Sequence, residues 1–193
     1  MKPARLTLAR LALMSAWVCT GVEPLLAQQL PRSEVPQRKR LDATTARQLS
    51  ALSRAASNKS VLGTCALLSG GSSADRALAA QVVADDARTQ LYRVDLSAVV
   101  SKYIGETEKN LSRLFARATE ANWILFFDEA DALFGKRSDV HDSSDRYANL
   151  DTASLLRRIE QYPGVVLLAT NAPDKVDPAF AKRCAAIRTA TAP

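Results

Sequence analysis

Residues 124–135 read Ile-Leu-Phe-Phe-Asp-Glu-Ala-Asp-Ala-Leu-Phe-Gly (ILFFDEADALFG). With Trp123 in front, the apolar run Trp123–Phe127 is too short for a helix and too uniformly apolar for a half-exposed strand. It reads as a strand buried on both faces, the pattern of a parallel sheet covered by helices. Asp128 and Glu129 follow at once, so two carboxylates stand at the carboxyl end of that strand.

The flanking sequence repeats this alternation. Cys65–Ser69 (CALLS) predicts a first strand, followed by Gly70-Gly71 and a helical stretch through Ala87. Leu91–Leu96 (LYRVDL) predicts a second strand. Leu111, Leu114, Phe115 and Ala118 recur at i, i+3, i+4 and i+7, so Glu106 to Asn122 is expected to be an amphipathic helix. A helix over Arg146 to Gln161 and a fourth strand at Gly164–Thr170 (GVVLLAT) complete the pattern. Strands joined through helices pair in parallel, and such sheets bind ligands beyond the carboxyl ends of their strands.

The chain has 193 residues, 47% of them hydrophobic and 24% charged, which suits one globular unit with an arm. Its net charge of +6 is unevenly placed: the first sixty residues carry +7 and the remainder −1. The basicity belongs to the arm, notably Arg38, Lys39 and Arg40, which argues against nucleic-acid binding by the core. Cys19, Cys65 and Cys184 form neither a disulfide framework nor a zinc pattern, and Cys65 reads as a small core residue. His141, set among Asp and Ser, reads as a solvated surface side chain.

In the arm, Lys2, Arg5 and Arg10 precede the mostly apolar stretch Leu11 to Val22, then Pro24 and the small residue Ala27. This is the order of a secretory signal peptide over residues 1–27. The acid-poor, Arg-rich composition also suits a transit peptide or an ordinary start. The apolar run is too short to span a bilayer, so no transmembrane span is expected in the mature chain. Residues 28–60 read as a basic linker (QQLPRSEVPQRKRL) and a short helix capped by Asp42 and running to about Ala56. Residues 61–193 read as the core.

Paired acids at a strand tip suit a Mg2+-nucleotide site, where one carboxylate serves the metal and the other accepts a proton from attacking water. The string ILFFDEADALFGKRS resembles the Walker B region of AAA ATPases. YRVDLSAVVSKYIGETEKNL resembles the stretch upstream of it, and DRYANLDTASLLRRIEQYPGVVLLATN followed by DPAF continues the match in order. The resemblance spans about 120 residues in register. It implies an α/β, three-layer P-loop NTPase fold with a parallel five-stranded sheet in the order 5-1-4-3-2, ATP and Mg2+ as ligands, and assembly into homo- or hetero-oligomers, usually hexameric rings. By position, Asp128 would organise the metal and Glu129 would polarise water. Asn171 would be the sensor that places this water. Lys102, Tyr103, Ile104 and Gly105 match a pore loop that grips a polypeptide substrate, although Tyr103 reads equally well as an aromatic at a helix edge.

The phosphate loop of that family, G-x-x-x-x-G-K-[ST], aligns with Gly70-Gly71-Ser72-Ser73-Ala74-Asp75-Arg76-Ala77. Gly70, Gly71, Ser72, Ser73 and Arg76 are the candidate nucleotide-binding positions. Ala77 removes a metal-binding hydroxyl, and Arg76 puts a planar fork where a compact ammonium belongs. Asp75 puts a carboxylate where backbone should approach phosphate. Two like charges at 4 Å repel by about 4 kcal/mol at an effective dielectric of 20, roughly a thousandfold in affinity, unless Asp75 turns outward. Lys182 and Arg183 fall where the family carries arginine fingers, with Ala185 at the second finger position. The core is expected to be C-terminally truncated, with no helical lid domain before Pro193.

The expectation is therefore an AAA-type ATPase core whose ATP binding and hydrolysis are impaired. A catalytically dead scaffold of the same fold, or a truncated gene fragment, are the alternatives. Export of such a core is at odds with the cytoplasmic supply of ATP.

Overall fold

The structure, a computed structural model, describes residues 27–29, 41–57, 62–99, 105–133 and 152–189. Residues 1–26 of the leader-like segment, Lys102, Tyr103, Ile104, His141 and the start of the helix expected from Arg146 lie outside these residues. None of the helices among the described residues is long and apolar enough to cross a membrane.

In chain order the elements are β1 (Ala27–Gln29), α1 (Ala43–Ser57), β2 (Thr64–Ser69), α2 (Ser73–Ala87), β3 (Gln90–Val94) and α3 (Leu96–Val99). They continue with α4 (Glu106–Ala121), β4 (Trp123–Phe127), α5 (Thr152–Gln161), β5 (Val165–Thr170), α6 (Pro178–Arg183) and β6 (Ala185–Arg188). The sheet order is β1-β3-β4-β5-β2-β6. β2 to β6 pair in parallel. Counted alone, those five strands give 5-1-4-3-2, the order that the resemblance implies.

Strand alternation explains the three layers. Cys65, Leu67, Leu125, Phe127, Val166 and Leu168 face one core, shared with Leu111, Leu114 and Phe115 of α4 and with Leu155 and Ile159 of α5. Ala66, Leu68, Ile124, Phe126, Val165 and Leu167 face the other, filled by α1 and α2. Every residue of β4 and β5 is buried, so the continuous apolar runs were needed to satisfy both faces at once. Each such side chain contributes about 1.5–3 kcal/mol by leaving water.

Local signals set the boundaries. Asp42 accepts from Thr45 N at 2.7 Å and from Thr45 Oγ1 at 3.0 Å, which starts α1. Arg88 and Asn122, both in the left-handed region at φ 55°, end α2 and α4. Gly164 is required sterically, because an added Cβ would lie 2.5 Å from the Tyr162 ring. That ring is fixed by its hydroxyl, which donates to Trp123 O.

Two expectations are corrected. Residues 28–41 are not all linker: β1 pairs antiparallel with β3, Gln28 opposite Arg93. Cys65 is not a free core thiol. It is disulfide-bonded to Cys184, with 4.6 Å between the Cα atoms. The parallel register sets Ala66 opposite Ala185, which brings the residues before them together across 119 positions of sequence. Both cysteines nevertheless line the core, 5% and 6% exposed.

A bond closing so long a loop restricts the unfolded chain by up to about 5 kcal/mol in the chain-entropy account. Replacing both cysteines by alanine is expected to lower the unfolding free energy by about 2–5 kcal/mol in denaturant melts.

Candidate functional site

Parallel pairing collects the carboxyl ends of β2, β4 and β5 on one edge of the sheet, and the chemistry-bearing residues gather there. β2 ends at Ser69 and α2 begins at Ser73, so only Gly70, Gly71 and Ser72 join them. Ser72 and Asp75 form a reciprocal cap: Asp75 N donates to Ser72 Oγ at 3.2 Å, and Ser72 N donates to Asp75 Oδ2 at 2.7 Å. The Ser72 hydroxyl donates to the same carboxylate oxygen. The backbone amide of Ser72, then its hydroxyl, hold the Asp75 carboxyl below its ordinary range. Asp75 thus turns back onto the loop, where its carboxylate takes up the Ser72 amide and lies against Gly71, so the expected repulsion toward a phosphate there remains.

Arg76, on the first turns of α2, is only 2% exposed. Its Nη1 donates to Gly70 O at 3.2 Å and Gly71 O at 3.1 Å, and its Nη2 donates to Asn171 Oδ1 at 2.6 Å. Its Nε is buried with no protein partner. The guanidinium therefore bridges the turn after β2 and the residue after β5. Gly70 and Gly71 both have positive φ, which directs their carbonyls inward to meet it.

Asp128, 7% exposed, follows the last residue of β4. Its Oδ2 pairs with Arg93 Nη2 at 2.6 Å, and its Oδ1 accepts from Glu129 N at 3.0 Å. Ser73 Oγ lies 3.5 Å from Oδ2. Glu129 is exposed at φ 54°, a left-handed conformation that costs a non-glycine residue about 1–2 kcal/mol. It follows a buried strand tip and aims its carboxylate away from the core.

Asp131 is a residue that sequence reasoning passed over. It accepts from the Thr170 hydroxyl, from Asn171 N at 2.9 Å and from Ala172 N at 3.3 Å. It thereby ties the turn after β4 to the tip of β5 and sets the backbone that carries Asn171. The available signal was a third carboxylate two residues beyond Glu129.

The remaining predicted positions are elsewhere. Gly105 caps α4 at φ 80°. Lys182 and Arg183 lie at the opposite edge, just before β6, where Arg183 Nη2 pairs with Glu160 Oε1 at 3.1 Å. They do not join this chain's own strand-tip cluster.

Burial alone would push the Asp131 carboxyl up, but the bonds from Thr170, Asn171 and Ala172 outweigh it and hold the group below its ordinary value of 3.8. The folded chain therefore binds that proton less readily than the unfolded one. The resulting stabilisation is complete above the ordinary value and is lost as pH falls through the lower folded-state value. Asp131→Asn is expected to lower stability by about 1–3 kcal/mol at neutral pH in urea melts. The gap from the parent protein should close below about pH 4.

Residues 66–191 match the family model described as ATPase family associated with various cellular activities (AAA). The chain is 34% identical over 119 residues to the probable 26S proteasome regulatory subunit 10B of Caenorhabditis elegans, covering 59% of this chain and 29% of that protein. It is 33% identical over 122 residues to a cell division cycle protein 48 homolog of Archaeoglobus fulgidus, covering 59% and 16%. The chain thus spans less than a third of either relative. Among solved structures, the FIGL-1 AAA domain in complex with ADP superposes at a TM-score of 0.64 and 18% identity, covering 96% of this chain and 64% of that one. That likeness concerns the fold alone.

Proposed function

The chain belongs to the AAA family of ATPases, and from that premise we propose an AAA core module whose nucleotide site is held shut by its own side chains, serving as a binding or scaffold unit. The Arg76 guanidinium carries this reading. It occupies the position of the phosphate-loop lysine, and three of its four outer N–H donors are engaged, with Gly70, Gly71 and Asn171.

Each hydrogen bond from a charged donor is worth about 1.5–3 kcal/mol. Freeing Arg76 from Asn171 alone would therefore cost roughly ten- to a hundredfold in nucleotide affinity. The metal position is as poorly suited. Asp128 already has Arg93 as its counter-ion, and Ala77 offers no hydroxyl. The donor set as it stands does not fit Mg2+-ATP, and no hydrolytic step is derived through it.

Within the family pattern Asp128 is assigned to the metal, Glu129 to polarising water and Asn171 to placing that water. Gly70, Gly71, Ser72 and Ser73 would be the loop around the phosphates. Lys182 and Arg183 would face a neighbouring subunit, and Lys102 to Gly105 a polypeptide. The retained Glu129 and Asn171 are the observations that favour a second reading, a residual ATPase.

Calorimetric titration of the full chain with Mg2+-ATP separates the two. No binding is expected up to about 1 mM, a binding energy under roughly 4 kcal/mol. The triple variant Asp75→Gly, Arg76→Lys, Ala77→Thr is expected to gain binding in the micromolar range, about 8 kcal/mol. Micromolar binding by the parent chain, with turnover abolished by Glu129→Gln, would sink the closed-site reading.

A further inference from the structure

The disulfide and the closed loop sit at opposite ends of one strand. Cys65 and Cys184 join the amino-terminal end of the β2–β6 pair. At the other end, Thr189 donates its amide to Ser69 O at 2.7 Å and its hydroxyl to Gly70 O at 2.8 Å. Gly70 O is the same acceptor that Arg76 Nη1 uses. Arg188 covers the turn as well: a Cβ added at Gly70 would lie 3.1 Å from Arg188 Cγ. Roughly 16 Å of strand separates the sulfur bridge from Thr189, at about 3.3 Å per residue.

β6 is held by its ladder with β2, while its side chains add little. It is a four-residue edge strand, and Ile187 is its one buried side chain. Thr45 Oγ1 adds a bond to Arg188 O at 2.9 Å. Without the sulfur bridge, the β2 ladder and one buried side chain alone would keep β6 in register, and its release would remove Thr189 from the Gly70 carbonyl.

We infer that the Cys65–Cys184 bond is a thiol-sensitive latch that acts through β6 to hold the Gly70–Arg76 turn shut. The consequence for the turn rests on the closed-site reading above; the latch itself rests on the bond and the strand. A groove of about 250 Å³ reaches the bridge from outside, lined by Leu62, Gly63, Cys65, Ile159 and Arg183 among others. Both cysteines are buried, 5% and 6% exposed, and Cys65 is the one that lines this groove, so attack on Cys65 Sγ is assigned to an external dithiol. Its thiolate forms a mixed disulfide there, and Cys184 leaves as a thiolate that takes up a proton. The second thiol of the reductant then displaces Cys65, which also ends as a thiol. The dithiol leaves as its own disulfide, having supplied two electrons and two protons. In an oxidising compartment the latch stays closed.

Hydrogen exchange of the full chain, oxidised and then reduced with dithiothreitol, tests this. Reduction is expected to speed exchange in peptides covering Ala185–Thr189 and Ser69–Arg76 about tenfold or more beyond the increase that lower global stability gives β4 and β5. With the bond intact, Thr189→Val should speed exchange in Ser69–Arg76 alone. Unchanged exchange on reduction would overturn the latch. So would an increase of equal size in every peptide, β4 and β5 included, which would make the bridge only a staple of the whole fold. Alkylation of both cysteines in protein matured under oxidising conditions would overturn it at the first step. The readout involves no nucleotide, so failure of the latch leaves the closed-site reading standing, and ATP binding would leave the latch testable.

Discussion

Parallel strand pairing is the constraint from which the rest follows. A parallel sheet must return the chain across its face after every strand, and that return is made here by helices on both sides. All five parallel strands then point the same way, so turns far apart in sequence meet on one edge. Gly70, Asp128 and Asn171 are neighbours for this reason alone. The opposite edge collects the starts of the strands, and there the same geometry sets Cys184 beside Cys65.

Within that frame, a buried cation dictates the form of the strand-tip cluster. A guanidinium removed from water is tolerated only if acceptors surround it. Gly70 and Gly71 supply carbonyls because they can take positive φ, and Asn171 supplies its side-chain oxygen. The groups that would face a phosphate in the family pattern are instead satisfied within the chain. Arg93 performs the equivalent service for Asp128. Apart from the buried Arg76 Nε, the cluster's polar groups are met from within the chain, and a ligand has to compete with those internal partners as well as with water.

Much of the fold was legible because it rests on local pattern. Trp123–Phe127 emerged with the expected bounds, and Leu111, Leu114, Phe115 and Ala118 face the core as their spacing requires. Asp42 caps α1 as its residue type predicts. The site was legible as a set of positions, through Asp128, Glu129, Asn171 and the altered loop, but not as a set of contacts. Arg76 and Asn171 lie 95 residues apart, and nothing in either neighbourhood announces the bond. The inward or outward turn of Asp75 depends on whether Ser72 can cap, a matter of φ and ψ rather than composition. The Cys65–Cys184 bridge was missed because its partners become adjacent only once β6 is in register. β1 was missed because three residues are too few to show alternation.

That small strand alters how the molecule can meet others. Among the described residues the sheet's margins are its two shortest strands, β1 with three residues and β6 with four. The longer apolar strands are all interior. Unpaired backbone on a long margin invites another chain to add a strand, the commonest route to uncontrolled association of β-structure. β1 denies that ladder to the face of β3 that would otherwise offer it, and β6 presents a margin that is short and covalently tethered. Among the described residues, assembly by strand addition is disfavoured at both margins of the sheet, which favours helix and loop surfaces for contacts.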